Sequence, residues 1–150
     1  MTSSPEPSAP AGYVAYDRPS PYLDLIGPLF QDATDPARVA LRIDHRHTNS
    51  RGFLHAGVLV AVADVVMGHT ARRAAPPGTR LVTASLTTDF PGSAQSGDWV
   101  CGTAAARRVG RRLAFTSCEF TVVDRSVLTA TGVFAVATPR PTDDTTTTTT

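Results

Sequence analysis

Ala56-Gly57-Val58-Leu59-Val60-Ala61-Val62-Ala63-Asp64-Val65-Val66-Met67-Gly68 is the stretch on which the fold turns, and Asp64 is its only polar side chain. Apolar residues all round a helix, rather than along one stripe, mark a helix buried on all sides. Valine has only middling helix propensity, so burial rather than intrinsic preference must hold this segment in a helix. The helical pattern runs from about His55 to Arg73, with Pro76-Pro77-Gly78 just beyond its basic end. A sheet wrapped around a central helix satisfies both demands.

The flanking sequence supplies that sheet. Upstream, Tyr22 to Leu25 reads as a short helix ended by Gly27-Pro28. Arg38 to Ile43 alternates Val39, Leu41 and Ile43 with Arg38, Ala40 and Arg42, the pattern of a half-buried strand. His45 to Gly52 is polar and turn-rich, a loop. Downstream, Arg80 to Phe90 alternates, with Val82, Ala84, Leu86 and Phe90 expected on one face. Trp99 to Arg107, Leu113 to Val123 and Leu128 to Ala137 follow, joined by turns at Pro91 to Asp98, Val109-Gly110 and Asp124 to Ser126. A strand, a long helix and an antiparallel run of four strands make an α+β domain whose apolar sheet face the helix covers.

Composition sets the outer limits. The 150 residues fit one domain, expected over residues 22–138. Residues 1–21, rich in Pro, Ser and Ala, and residues 139–150, ending in six threonines, are expected to be unstructured tails. A net charge of +1 gives no global field toward nucleic acid or acidic membranes. The N-terminal residues lack an apolar core of signal-peptide length, and no apolar run is long enough to span a bilayer. A cytoplasmic protein is expected, with Cys101 and Cys118 as buried, reduced thiols.

Asp64 is where the chemistry starts. A carboxylate among apolar side chains is costly unless it is paired, so it either accepts bonds from a neighbouring element or acts as nucleophile or general base in a partly dry pocket. Just upstream, His47-Thr48-Asn49-Ser50-Arg51-Gly52-Phe53-Leu54-His55-Ala56-Gly57 gathers amide, imidazole and glycine groups at the helix N-terminus. Free N–H groups and the positive end of the helix dipole meet there, which suits a developing oxyanion. Gly57 would let an acyl group approach the backbone closely. Singly, Asn49 has the ordinary explanation of a turn or cap residue, and His55 that of a locally bonded helix start.

The string N-x2-G-x2-H-x-G before an apolar, carboxylate-bearing helix (Asn49, Gly52, His55, Gly57 and Asp64) resembles the hotdog thioesterases of the phenylacetate-degradation type, in the 4-hydroxybenzoyl-CoA thioesterase superfamily. The likeness continues through Leu81-Val82-Thr83, Gly97-Asp98 and Val109-Gly110-Arg111, from about Pro36 to Val136. It implies a hotdog fold assembled as a homodimer or a dimer-of-dimers tetramer. It also implies hydrolysis of acyl-CoA to free acid and coenzyme A without a metal or redox cofactor. By the same carry-over Asp64 attacks the thioester or activates water, and the Ala56 N–H polarises the carbonyl. Asn49 positions the thioester or the water, and His55 supports that arrangement. Thr83 supplies a hydroxyl near the nucleophile, and the turn with Gly110 and Arg111 lies near the CoA phosphates. Ala56 replaces a glycine frequent in the family, which narrows the acyl pocket. Met67 and Gly68 stand where relatives carry a hydroxyl residue, one turn after the carboxylate.

Two other classes share parts of this pattern: a non-catalytic acyl-CoA binder, and a hotdog dehydratase or hydratase using Asp64 with His69. A passive apolar pocket gains nothing from a buried charge, and the string from Asn49 to Gly57 fits the thioesterase better than the dehydratase. His45, His47 and His69 form no recognisable metal set. Helix geometry adds one expectation. His55 and Asp64 are nine residues apart, which sets them about 13 Å apart on opposite faces. One helix therefore cannot readily bring both to one thioester. Two antiparallel helices across a two-fold axis can, so each active site is expected to be shared between subunits.

Overall fold

Burial divides the apolar helix into two unequal sides. It forms α2 (Ala56–Ala74), and Leu59, Val62, Ala63, Val66, Met67 and Ala71 are its buried residues. They recur at the spacing of one helical stripe, and that stripe packs on the sheet. Val58, Val60, Ala61, Asp64 and Val65 are only half-buried. Burial on all sides therefore does not hold within one chain, because the sheet covers one side of the helix and leaves a flank partly open. These features belong to a computed structural model that describes residues 8–137.

Around α2 runs a seven-stranded sheet in the order β1-β2-β3-β5-β6-β7-β4. The strands are β1 (Tyr13–Ala15), β2 (Leu29–Asp32), β3 (Arg38–Arg42), β4 (Arg80–Asp89), β5 (Trp99–Val109), β6 (Leu113–Val122) and β7 (Arg125–Ala137). Every pairing is antiparallel. This is the expected α+β arrangement, a hotdog sheet wrapped around its helix. The sheet closes tightly where Gly102 on β5 faces Phe120 on β6, since a Cβ at Gly102 would meet the ring at 2.3 Å. The short helix α1 (Pro21–Ile26) starts at Ser20, whose Oγ accepts from Leu23 N–H at 3.2 Å. No helix among the described residues is long and apolar enough to cross a membrane.

Other expectations change as well. Tyr13–Ala15 pairs with β2, and Tyr16 is a core residue, so the stretch expected to be an unstructured tail enters the sheet. Residues 1–7 of the expected N-terminal tail, and residues 138–150, which include the whole expected C-terminal tail, lie outside the described residues. The strand β2 went unread because it is only four residues long and mostly buried, leaving no alternation to detect. The expected face of β4 holds only in part: Leu86 packs against the core, but Val82 does not. The register against β7 shifts between Thr83 and Ser85, so the extra residue reverses which side chains point inward. Val82 pairs with Ala135 on the outer face and is 58% exposed, whereas Thr83 pairs with buried Phe134 and points toward α2.

Cys118 is buried, and burial pushes its thiol up to about 12. Cys101 is only half-buried, contrary to expectation, because it lies on the outer face of β5 opposite Ala40. On α2 the His69 ring stacks on Tyr16, and the Tyr16 hydroxyl and His69 Nδ1 share a hydrogen bond. This pair pins the N-terminal segment to the helix. Burial first, then the charges of Arg18 and Arg73, lowers His69 from 6.5 to about 4. The unfolded chain thus takes up this proton at higher pH than the folded chain does. Stability from this group is full above about 6.5 and is lost as pH falls toward about 4. Urea midpoints measured across that window should fall more steeply for the wild type than for His69→Gln, and parallel curves would assign the acid sensitivity elsewhere.

Candidate active site

The loop before α2 is held by short-range pairing that faces its polar groups outward. Thr48 bridges Leu54, Phe53 bridges Gln95, and Leu54 N–H donates to Ala94 O at 2.8 Å. Asn49 organises the turn: its Oδ1 accepts from Arg51 N–H at 2.9 Å and from Phe53 N–H at 3.3 Å. Gly52, at φ +81°, occupies the left-handed region that glycine tolerates best. The turn role of Asn49 therefore holds for its oxygen, and the Nδ2 group remains a donor.

His55 caps α2. Its Nδ1 accepts from Gly57 N–H at 2.9 Å, which leaves the proton of the neutral ring on Nε2, on an exposed side chain. Gly57 serves this contact, because a Cβ there would stand 3.0 Å from Nδ1. That structural reason is distinct from the close acyl approach expected of it. With Gly57 N–H occupied and Val58 N–H bonded to His55 O, the Ala56 N–H is the first-turn amide with no partner among the described residues. It is exposed at the positive end of the helix dipole.

Asp64 lies on the half-open flank of α2. Thr83 Oγ1 donates to its Oδ1 at 2.7 Å, while Oδ2 accepts nothing from the described residues. The bulge in β4 makes this contact possible by turning Thr83 inward. One carboxylate oxygen is fixed and the other is free to take a proton or attack an electrophile. Asp64 and Thr83 are thus brought together, as are Asn49, His55, Ala56 and Gly57, but the two groups sit at different heights on the helix.

The arginine turn is farther away. Gly110 N–H donates to Leu113 O at 2.8 Å, and Arg111 and Arg112 are exposed. Register places this turn beside Ala135 and Arg80, at the end of the sheet opposite the Asn49 loop. Arg107 is partly engaged, its Nε donating to Ser117 Oγ at 2.7 Å. A concavity of about 420 Å³ lies on the outer sheet face, lined by Thr87, Thr103, Arg107, Ser117, Glu119 and Thr131 among others, away from Asp64. Among the described residues no three His, Cys, Asp or Glu side chains gather as a metal set. Asp44, Arg46 and His47 knit the end of α1 to this loop, a role for which an Asp preceding a short turn is the one local signal in the sequence.

A wrapped sheet, a capped helix start with a free amide and a carboxylate one flank away describe the hotdog thioesterases as a class. The profile of the thioesterase superfamily matches residues 51–129. The chain is 40% identical over 129 residues to PA0474 of Pseudomonas aeruginosa, a protein whose name gives it a provisional esterase activity, covering 85% of this chain and 96% of that one. A point mutant of the phenylacetic acid degradation protein PaaI from Thermus thermophilus superposes with TM-score 0.69 at 23% identity, over 79% of this chain and 100% of that one. The BH2602 protein of Bacillus halodurans, solved with CoA, gives TM-score 0.63 at 21% identity, over 68% of each chain. The chain belongs to the thioesterase superfamily, and its class of activity is thioester hydrolysis.

Replacing Asp64 by Asn keeps size and the Thr83 bond but removes a charge able to attack an electrophile or take a proton. Steady-state assays on an acyl-CoA should show a loss on the order of 100-fold or more, with Tm unchanged or raised. Near-normal turnover would return Asp64 to a structural role.

Proposed function

We propose that the protein hydrolyses an acyl-CoA to the free carboxylic acid and coenzyme A, with Asp64 as nucleophile or general base. The observation that carries this reading is the Asp64 carboxylate itself, with one oxygen held by Thr83 and the other free on a half-open apolar flank. As general base, Asp64 takes a proton from water as the water oxygen bonds to the thioester carbon. The C–S bond then breaks and the CoA sulfur leaves with a proton. As nucleophile, the carboxylate displaces the thiolate to give a mixed anhydride that water opens. In both routes the carbonyl oxygen gains charge and the Ala56 N–H receives it, with Asn49 Nδ2 and His55 Nε2 as neighbouring donors.

Each site is shared between two copies of the chain. Asp64 stands eight residues beyond Ala56, about 12 Å along the helix. The strand β4 is an edge strand, and beside it lies the half-covered flank of α2. A second copy added antiparallel along β4 would complete the sheet, cover that flank and bring its own Asn49 loop to Asp64. It would also set that loop beside the first copy's arginine turn, at the nucleotide end of the bound CoA, since within each chain the turn lies at the opposite end of the sheet from the loop. Dimers of this kind, alone or paired as tetramers, are the working assembly. The CoA in the BH2602 structure supports the substrate class.

Two measurements test these parts. Arg111→Ala should raise KM for acyl-CoA more than it lowers kcat, because a phosphate contact binds ground and transition states alike. Thioesters lacking the nucleotide should not respond, and equal losses on both substrates would remove the turn from the site. The second is subunit mixing between the inactive Asp64→Asn and Asn49→Ala proteins. A hybrid dimer then holds one doubly damaged and one intact site, so activity returns. Activity at the parental level despite demonstrated exchange would mean that each site is built within a single chain.

A further inference from the structure

We infer that His47 is a positioning residue for the Ala56 amide; the inference rests on the role proposed above for that amide. His47 is polar, yet only 1% exposed. Its ring makes two bonds of opposite sense: Nδ1 accepts from Asp44 N–H at 2.9 Å and Nε2 donates to Ile26 O at 2.6 Å. This pair of partners suits one neutral tautomer, with the proton on Nε2. Its backbone carbonyl makes the third bond, accepting from His55 N–H at 2.8 Å. On its other side His55 is held by the bond from Gly57 N–H to Nδ1. The peptide linking His55 to Ala56 is therefore pinned on both flanks, and its N–H is the amide left free.

Arg46 braces the same turn. It donates to Leu25 O at 3.1 Å and to Gly27 O at 2.8 Å, and it grips the Asp44 carboxylate through Nε and Nη2. That grip holds the Asp44 carboxyl below its usual range. With His47 on Ile26 O, the three carbonyls of Leu25, Ile26 and Gly27 are all taken up by one turn. An apolar side chain would fill the position of His47 without the cost of desolvating an imidazole, but it would leave Asp44 N–H and Ile26 O without these partners. What it could not do is fix the height and angle of the His47 carbonyl against His55. A donor stabilises an oxyanion by being aimed before the charge develops, so loss of aim costs the transition state and spares the ground state.

The experiment compares wild type with His47→Leu and His47→Gln on one acyl-CoA and on two inhibitors. One inhibitor is the trifluoromethyl ketone analogue of that acyl-CoA, which forms a tetrahedral adduct, and the other is the unreactive thioether. For His47→Leu, kcat should fall about 10- to 100-fold with KM within about twofold, the pattern of an interaction made only in the transition state. Affinity for the ketone should fall by the same factor, and affinity for the thioether should hold. His47→Gln keeps a side-chain donor for Ile26 O and should recover most of kcat. A purely structural role predicts a lower Tm with kcat per folded site and the inhibitor ratio unchanged, and that result overturns the inference. Should His47→Leu fail to fold, Asp44→Asn weakens the brace from the surface. It must show the same split at smaller size, and an unchanged inhibitor ratio there is equally fatal. A wild type that cleaves no acyl-CoA would instead overturn the proposed function.

Discussion

The helix α2 carries more apolar surface than one sheet can cover. Its inner stripe, from Leu59 to Ala71, supplies much of the core, and that burial holds a valine-rich segment in a conformation it does not strongly prefer. The remaining flank, with Val60, Ala61, Asp64 and Val65, is left half-covered. A flank of this kind, beside an edge strand, is an unfinished surface, and the only charged group on it is Asp64. Both the proposed site and the proposed assembly follow from this imbalance.

Around that constraint the polar groups are assigned with little redundancy. Thr83 takes one oxygen of Asp64 and leaves the other, and His55 takes the Gly57 amide and leaves that of Ala56. Asn49 spends its oxygen on the turn and keeps its amide protons. In each case the structural bond orients a group whose remaining valence faces outward. The ordinary structural explanation of these residues and their proposed catalytic role are therefore compatible, because they use different atoms.

The two ends of the sheet differ in character. At one end the Asn49 loop packs on the segment joining β4 to β5, through Leu54 and Phe53. At the other, Arg80, Arg108, Arg111 and Arg112 gather around the β5–β6 turn and the start of β4, all exposed. One chain keeps its free amide and its basic turn a strand length apart. An antiparallel pair would set each beside the other's counterpart, and a thioester joined to a phosphorylated nucleotide has that same polarity.

Much of this was legible in the residues. Helix α2 and strands β3, β5, β6 and β7 announce themselves because period and turn chemistry are local properties. The family could be read because the spacing of Asn49, Gly52, His55, Gly57 and Asp64 resembles that of the hotdog thioesterases. Three things came only with the tertiary structure. The bulge in β4 turns Thr83 toward Asp64, where the family resemblance had set it and the strand's own alternation had not, and a bulge is set by the partner strand rather than by its own sequence. Strand β2 and the Tyr16 anchor exist only because other elements bury them. The clamp of Asp44, Arg46 and His47 joins residues about twenty positions apart, where no periodicity can signal a hydrogen bond. The sequence by itself determined the central helix, most of the strands and which groups could react. The packing of distant segments decided which atoms of those groups are held and which are left free, because long-range contacts rather than local preference select the rotamer and the partner.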